Sequence, residues 1–463
     1  MLNPYEAWFE SNTNASLADF FAFLRFPSIS TDLAYRKELF ACKDWLASYM
    51  KKIGLEVEVW ETGGAPVIFG SSVGQGGPTV LFYGHYDVQP PDPLDEWNSP
   101  PFEPEMREGA IYARGAVDNK GQAFYTLLAI RAFLEKKKDK RITIKCLIEG
   151  EEEIGSSGLE KILEKKREAL QADHVFIVDI EMYGEKMPAV TLGTRGITNL
   201  NVIVQNSAFD LHSGAYGGIA VNPAHVLVKT LAMLWDEKGQ VAVPGFYADI
   251  SPLSKEEKEL FDWEGDPEKE VALLGVKVCQ SQEGFSCLES NWIRPSLDVN
   301  GIKSGYIAKG FKTIIPSKAM VKLSCRLVPN QDPDHILCLL EEFFKRSLPK
   351  EMDVSFERGN GAQAFITSPK SETARLAAQA YERVYQVRCR RKLCGATIPI
   401  APSLSKICQG EVVMMGVALG VDQIHAPNES FGFDRFKEGF LSITQLLEIL
   451  SNGEKDECEG ANF

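Results

Sequence analysis

The sequence predicts an α/β protein carrying an inserted α+β unit, and three observations carry that prediction. Short apolar runs that end in acidic or histidine-bearing turns alternate with helical patterns. Between about Gly196 and Phe365 the order of elements changes to β-α-β-β-α-β, a split unit able to close its own small sheet. The 463 residues are, moreover, too many for one ordinary core.

Each element has its own local reason. Ser16 is placed to cap a first helix. A second helix is predicted from about Asp32 to Ile53, where Leu39, Cys42, Leu46, Tyr49, Met50 and Ile53 recur at three- and four-residue steps and Gly54 supplies a stop. The runs TVLFYG (Thr79 to Gly84), ITIKCLI (Ile142 to Ile148), HVFIVD (His174 to Asp179) and EVVMMGVAL (Glu411 to Leu419) read as buried central strands. In the inserted unit, Leu200, Val202 and Val204 alternate along one strand, and Asn222 with Pro223 opens a helix bearing Leu227, Leu231 and Leu234. A strand near Ser296 to Ile302 follows. The next alternates Val321, Leu323, Cys325 and Leu327 against a face holding Arg326. A helix with Ile336, Leu339, Leu340, Phe343 and Phe344 then leads to a strand with Met352, Val354 and Phe356. The connection from Lys238 to Ile293 carries no assignable pattern.

Composition narrows the function classes. Hydrophobic residues at 44% and charged residues at 25% are the balance of a soluble globular protein. A net charge of -14 lacks the clustered cations that a nucleic-acid surface needs. No uncharged apolar run approaches the roughly 18 to 20 residues of a membrane span. The start MLNPYEAWFESN has neither a basic leader nor an apolar core, so a cytoplasmic protein is expected. The ten cysteines, Cys458 among them, show no CxxC spacing and are expected as reduced thiols. Cys389 and Cys394 lack the two further ligands of a zinc knuckle nearby.

Candidate metal ligands gather at the carboxyl ends of the predicted strands, where open α/β sheets place their sites. GHYDVQPPDP brings His85 and Asp87 in an i, i+2 relation, although an isolated pair also suits a turn histidine with a capping aspartate. YARGAVDNKG brings Asp118 just before a helix, where it is either a ligand or a cap. The strand ITIKCLI runs into Glu149, Glu151, Glu152 and Glu153, whose mutual repulsion calls for a cation or a solvated turn. HVFIVD delivers Asp179 and VDQIHAPNES delivers His425. Together His85, Asp118, Glu153, Asp179 and His425 suit two zinc-like ions with one bridging carboxylate. Zinc, manganese and cobalt all remain open on this ligand set. Two divalent ions, three carboxylates and one hydroxide sum to neutrality.

At this point the motifs GHYDVQ, YARGAVDNKG, EGEEEIGSSG, FIVDIE, TLGTRGI, DLHSGAYGG, KTIIPSKA, CRLVPNQ and HAPNE, in this order, resemble the M20 metallopeptidases, and within them the dimeric, carnosine-dipeptidase-like branch. The resemblance implies a mixed-sheet, di-metal catalytic domain built from residues 1–195 and 366–463. It also implies a ferredoxin-like βαββαβ lid and dimerisation domain at 196–365. His85 and Asp179 would hold one metal, Glu153 and His425 the other, and Asp118 would bridge them. Glu152 would be the general base for the attacking water, and Asp87 would orient a ligand imidazole. A cis peptide between Asp118 and Asn119 is expected on the same grounds. His212 in DLHSGAYGG matches a histidine that reaches the partner subunit's active site and stabilises an oxyanion. Arg326 matches the arginine that holds a substrate carboxylate, with Thr313 a further candidate contact. Where many dipeptidase-like members carry GGSIP this chain has GATIP, so Thr397 keeps a hydroxyl in a bulkier setting.

The function these features imply is metal-dependent hydrolysis of the amide bond of dipeptides by a homodimer that binds neither nucleic acid nor membrane. An N-acyl-amino-acid deacylase, of aminoacylase or desuccinylase type, would present the same planar amide. A catalytically silent dimeric binding protein would have lost a ligand or the base, and none of the six residues is missing.

Overall fold

The computed structural model describes residues 4–137, 140–263, 265–273 and 275–453, and Cys458 lies outside them. Its larger sheet has nine strands. Four of them, Thr143–Glu149, Thr79–His85, His174–Val178 and Glu411–Met415, lie side by side and parallel. They are the four apolar runs of the sequence, each fully or nearly fully buried as a strand covered on both faces must be. Val67–Ser72 joins one flank antiparallel, and Ala189–Thr194 joins the other. The sheet is therefore mixed, as expected.

One face is covered by the helices Pro4–Leu24, Lys120–Lys136, Glu372–Tyr385 and Phe433–Asn452 around a core that includes Phe20, Phe124, Phe436 and Phe440. Ser157–Leu163 and Ala401–Cys408 cover the other face over Leu159, Val175, Leu404 and Met414. Among the described residues the first helix spans Pro4–Leu24, so Ser16 is a buried residue inside it rather than a cap. Proline favours the first helical turn, where its missing N–H costs no hydrogen bond. The second helix spans Arg36–Lys52 after a short 3-10 turn capped by Asp32, and Gly54 adopts φ +96° at its end, the left-handed stop that glycine accepts without strain.

A separate four-stranded sheet has the order Ser296–Ser304, Lys318–Leu327, Gly196–Gln205, Asp353–Arg358, antiparallel throughout. With helices Pro223–Ala232 and Pro333–Ser347 it gives the β-α-β-β-α-β order, and the alternating residues read from the sequence line its core. Asn222 caps its helix by accepting from the Ala224 N–H at 2.8 Å. Among its described residues the connection 238–293 contains three short helices, of which Lys255–Lys258 and Cys287–Trp292 start on capping boxes, Ser254 with Glu257 and Ser286 with Glu289. The nine described cysteines are free thiols. Among the described residues no helix is long and apolar enough to cross a membrane.

Candidate metal centre

The four parallel strands aim their carboxyl ends at one cleft. His85 closes the Thr79–His85 strand and is fully buried. Its Nδ1 lies 3.0 Å from the Asp87 carbonyl and 3.3 Å from the Asp87 carboxylate. Nε2 therefore faces the cleft, 3.2 Å from Asp118 Oδ1, 3.5 Å from Asp179 Oδ2 and 4.0 Å from Glu152 Oε2. On the other side of Asp118, Oδ2 lies 2.9 Å from His425 Nε2, which is itself 3.3 Å from Glu153 Oε2. The result is two groups of potential ligand atoms, His85 with Glu152 and Asp179, and Asp118 with Glu153 and His425. Asp118 faces both histidines, one with each oxygen.

Each of these side chains is held by a neighbour. Asp87 does more than orient an imidazole: its carboxylate also accepts from the Glu152 N–H at 3.2 Å, the Glu153 N–H at 3.1 Å and the Ser30 hydroxyl at 2.6 Å. One buried carboxylate thus fixes both His85 and the acidic 3-10 turn Glu152–Ile154. Gln89 Nε2 donates to Glu153 Oε2 at 2.7 Å. The other two acids of the run turn away: Glu149 accepts from the Tyr83 hydroxyl at 2.7 Å, and Glu151 from the Ala65 N–H at 2.9 Å.

Three residues to which the sequence reading gave no role organise the rest. Asn119 follows the Asp118–Asn119 peptide, which is cis as expected, and its amide knits two strand ends together. Its Oδ1 accepts from the His85 N–H at 3.1 Å, and Nδ2 donates to Val178 O at 2.8 Å and Asp179 Oδ1 at 2.6 Å. Only glycine fits at position 84, since a Cβ there would lie 2.7 Å from Asn119 Oδ1. Glu429, fully buried, accepts from Arg114 Nη1, the Gly115 N–H, the Val117 N–H and the Asp118 N–H at 2.8 to 3.1 Å. The loop that presents Asp118 is wrapped around that carboxylate. The available signal was an arginine and a glutamate set among small residues in YARGAVDNKG and HAPNE.

The cluster is short of positive charge. Burial drives the Glu152 carboxyl well above its usual range, and Asp179, Glu153 and Asp118 push the same way against His85. Against burial, the surrounding carboxylates hold the His85 imidazolium well above its usual value. Hydrogen bonds to Asp118 and Glu153 lift His425 to about 10. Both shifts have one cause, an excess of carboxylates over cations in the cluster, which a bound metal cation would offset. His85 Nε2 and Glu153 Oε1 are buried without a hydrogen-bond partner among the described residues, which fits atoms reserved for metal.

The substrate-side candidates lie elsewhere. His212 is exposed on a two-stranded ribbon, Leu211–His212 with Ile314–Ile315, and Thr313, also exposed, immediately precedes its second strand; His212 Nδ1 accepts from the Gly214 N–H at 3.0 Å. Neither contributes to the two ligand groups. Arg326 and Thr397 meet: Arg326 Nη1 donates to the Thr397 hydroxyl at 2.7 Å. His174 binds the Thr373 hydroxyl at 2.7 Å beside a cavity of about 820 Å³ at the opposite end of the strands, away from the ligand cluster. His225 and His335 sit on the two helices of the smaller sheet.

Comparison with known proteins agrees with this geometry. Residues 81–449 match the model of peptidase family M20/M25/M40. The chain belongs to that family. It is 29% identical over 446 residues to the Cys-Gly metallodipeptidase dug1 of Schizosaccharomyces pombe, covering 92% of this chain and 93% of the relative. To the human Beta-Ala-His dipeptidase it is 32% identical over 448 residues, covering 89% and 86%. The solved di-peptidase Dug1p of Saccharomyces cerevisiae superposes with a TM-score of 0.88 at 26% identity, over 98% of this chain and 99% of that one. This M20 chain therefore shares its whole architecture, smaller sheet included, with metallodipeptidases.

Proposed function

We propose that this M20 enzyme hydrolyses dipeptides with two divalent metal ions per subunit. The observation that carries the reading is Asp118, one carboxylate facing two separate histidine and carboxylate groups at the end of a buried parallel sheet. Full-length likeness to proteins named as dipeptidases supplies the substrate class.

His85 and Asp179 would hold one ion and Glu153 and His425 the other, with Asp118 between them as a shared ligand. Zinc suits two histidines and three carboxylates, and manganese or cobalt would also fit. Bound there, the ions supply Lewis acidity to the scissile carbonyl and acidify a water. Glu152, the outermost of the three carboxylates that face His85 Nε2, accepts the water's proton and passes it to the leaving amine. Asp87 keeps His85 and the Glu152 turn in register. Arg326, with Thr397, takes the substrate's C-terminal carboxylate in a planar fork.

Residues 196–365 serve as lid and dimerisation domain between the two catalytic portions, 1–195 and 366–463. Large apolar side chains flank the ribbon that carries His212 and adjoins Thr313: Phe209, Ile219, Ile307 and Phe311 are each more than two-thirds exposed. Exposed apolar side chains in such number favour a protein interface, and a two-fold dimer would deliver His212, with Thr313 beside it, to the partner's cleft as oxyanion donors. The free thiols of the nine described cysteines favour the cytoplasm.

The test is a panel of dipeptides, tripeptides and N-acyl amino acids, offered to metal-stripped protein reloaded with zinc, manganese or cobalt. Metal-dependent turnover confined to dipeptides is expected. Preference for acylated amino acids would replace the reading with a deacylase, and no turnover at two bound ions per chain would replace it with a silent binding protein.

A further inference from the structure

Arg195 occupies the single-residue link between the Ala189–Thr194 strand of the large sheet and the Gly196–Gln205 strand of the smaller one. It is only 7% exposed. Its Nε donates to Gly395 O at 2.9 Å, its Nη1 to Arg294 O at 3.1 Å, and its backbone N–H to Ala396 O at 3.0 Å. Nη1 also lies 3.5 Å from the Ser296 hydroxyl. Every one of these partners is neutral, so a guanidinium that is almost wholly removed from water keeps its charge without a carboxylate in contact.

A second cation lies beside it. Arg326 pairs with Ile197 across the adjacent strands, and Arg195 precedes Ile197 by two residues. Two-residue steps along extended chain keep side chains on one face, and such diagonal neighbours sit within about 7 to 8 Å. Both arginines also grip the same segment, Arg195 through Gly395 and Ala396, Arg326 through the Thr397 hydroxyl. That segment is pinned from a further side, since a Cβ on Gly395 would lie 2.3 Å from the Asn291 side chain. The acid that both guanidiniums feel, Asp298, is exposed and bonded to the Ser296 hydroxyl instead. Burial first, and Arg326 next, bring the Arg195 guanidinium down to about 10, which still leaves it protonated at neutral pH.

Two like charges in a poorly solvated place repel unless an anion joins them. We infer that Arg195 is a positioning residue of the carboxylate subsite: it sets the Gly395–Thr397 segment against Arg326 and adds a second positive charge that only a substrate with a free C-terminal carboxylate neutralises. The inference rests on the proposed role of Arg326. It adds that discrimination between a peptide acid and its amide is built at the junction of the two sheets, by a residue that need not touch the substrate.

The experiment compares one dipeptide with its C-terminal amide, in the metal-loaded dimer, for wild type, Arg195→Gln, Arg195→Lys, Ser296→Asp and Arg326→Gln. R195Q is expected to raise KM for the acid about tenfold with kcat within about twofold, and to leave the amide unchanged, the signature of lost ground-state recognition. R195K keeps the charge and should restore most of the preference. S296D leaves Arg195 in its packing but gives it an internal counter-ion, so it should weaken the acid about fivefold even if R195Q does not fold. Equal losses on acid and amide in R195Q, or an unchanged acid preference in both R195Q and S296D, would overturn the inference while the reading of Arg326 stood. Loss of preference in R326Q is what that reading demands; a preference retained in R326Q would remove the reading itself, whatever Arg195 does.

Discussion

The floor of the cleft and the ribbon that carries His212 are built on opposite terms. On the floor, His85 and Asp87 are fully buried, and Asp87, Asn119 and Glu429 together make at least ten hydrogen bonds or close polar contacts that fix the ligand loops. At the ribbon, His212 and Thr313 are exposed, and the His212 imidazole is held by one backbone N–H. The difference teaches where preorganisation is available within one subunit. The side chains proposed to hold a cation are locked by their own chain, whereas His212 and Thr313, proposed to serve a partner subunit, are left open in this one.

Four substitutions and one mixing experiment would break or sharpen this contrast. The largest effect is expected at the floor: Glu152→Gln should lower kcat about 10³-fold by removing the proton acceptor. Its metal content should stay at the wild-type value, and a loss of bound metal would make Glu152 a ligand instead. On the ribbon, His212→Ala should cost about 10²-fold, the usual scale of an oxyanion donor. Mixing H212A with E152Q then distinguishes the two regions. If His212 works across the dimer, half the dimers are mixed and each has one intact site, so about a quarter of wild-type activity returns. No recovery would place His212 in its own subunit's chemistry. Asp87→Asn should weaken metal binding about 10- to 100-fold, read by competition with a chelating dye. Unchanged affinity would mean that the backbone contacts alone orient His85 and the glutamate turn. The smallest change is expected for Ser30→Ala, which deletes one hydrogen bond to Asp87 and should lower stability by about 1 kcal/mol in urea titration.

The parallel strands and the βαββαβ unit were legible in the sequence because burial on two faces, or on one, imposes continuous or alternating apolar patterns, and the shortness of the continuous runs sets them apart from buried helices. The candidate ligands were legible because histidines and acids at four strand ends have no structural use in common. The supports were harder to read. Glu429, Arg114 and Asn119 work through backbone N–H groups and through each other, in loops whose residues follow no period. Glu149 and Glu151 looked equivalent to Glu152 and Glu153, and only the Tyr83 hydroxyl and the Ala65 N–H separate the pairs. Ser16 misled because a polar side chain that suits a cap is also accommodated inside a helix, here twelve residues beyond Pro4. The link between Arg195 and Arg326 needed the strand register, which pairs residues far apart in sequence.

Glu429 also sets a clock. It lies 311 residues beyond Asp118, yet the loop that presents Asp118 hangs on its carboxylate. A chain emerging from the ribosome at about 5 to 20 residues per second carries the early ligands for tens of seconds before their organiser exists. During that interval the loop has nothing to wrap around, and the two halves of the cluster cannot be brought to a common distance. The shape in which that loop presents Asp118 is thereby available only after almost the whole described chain has been made.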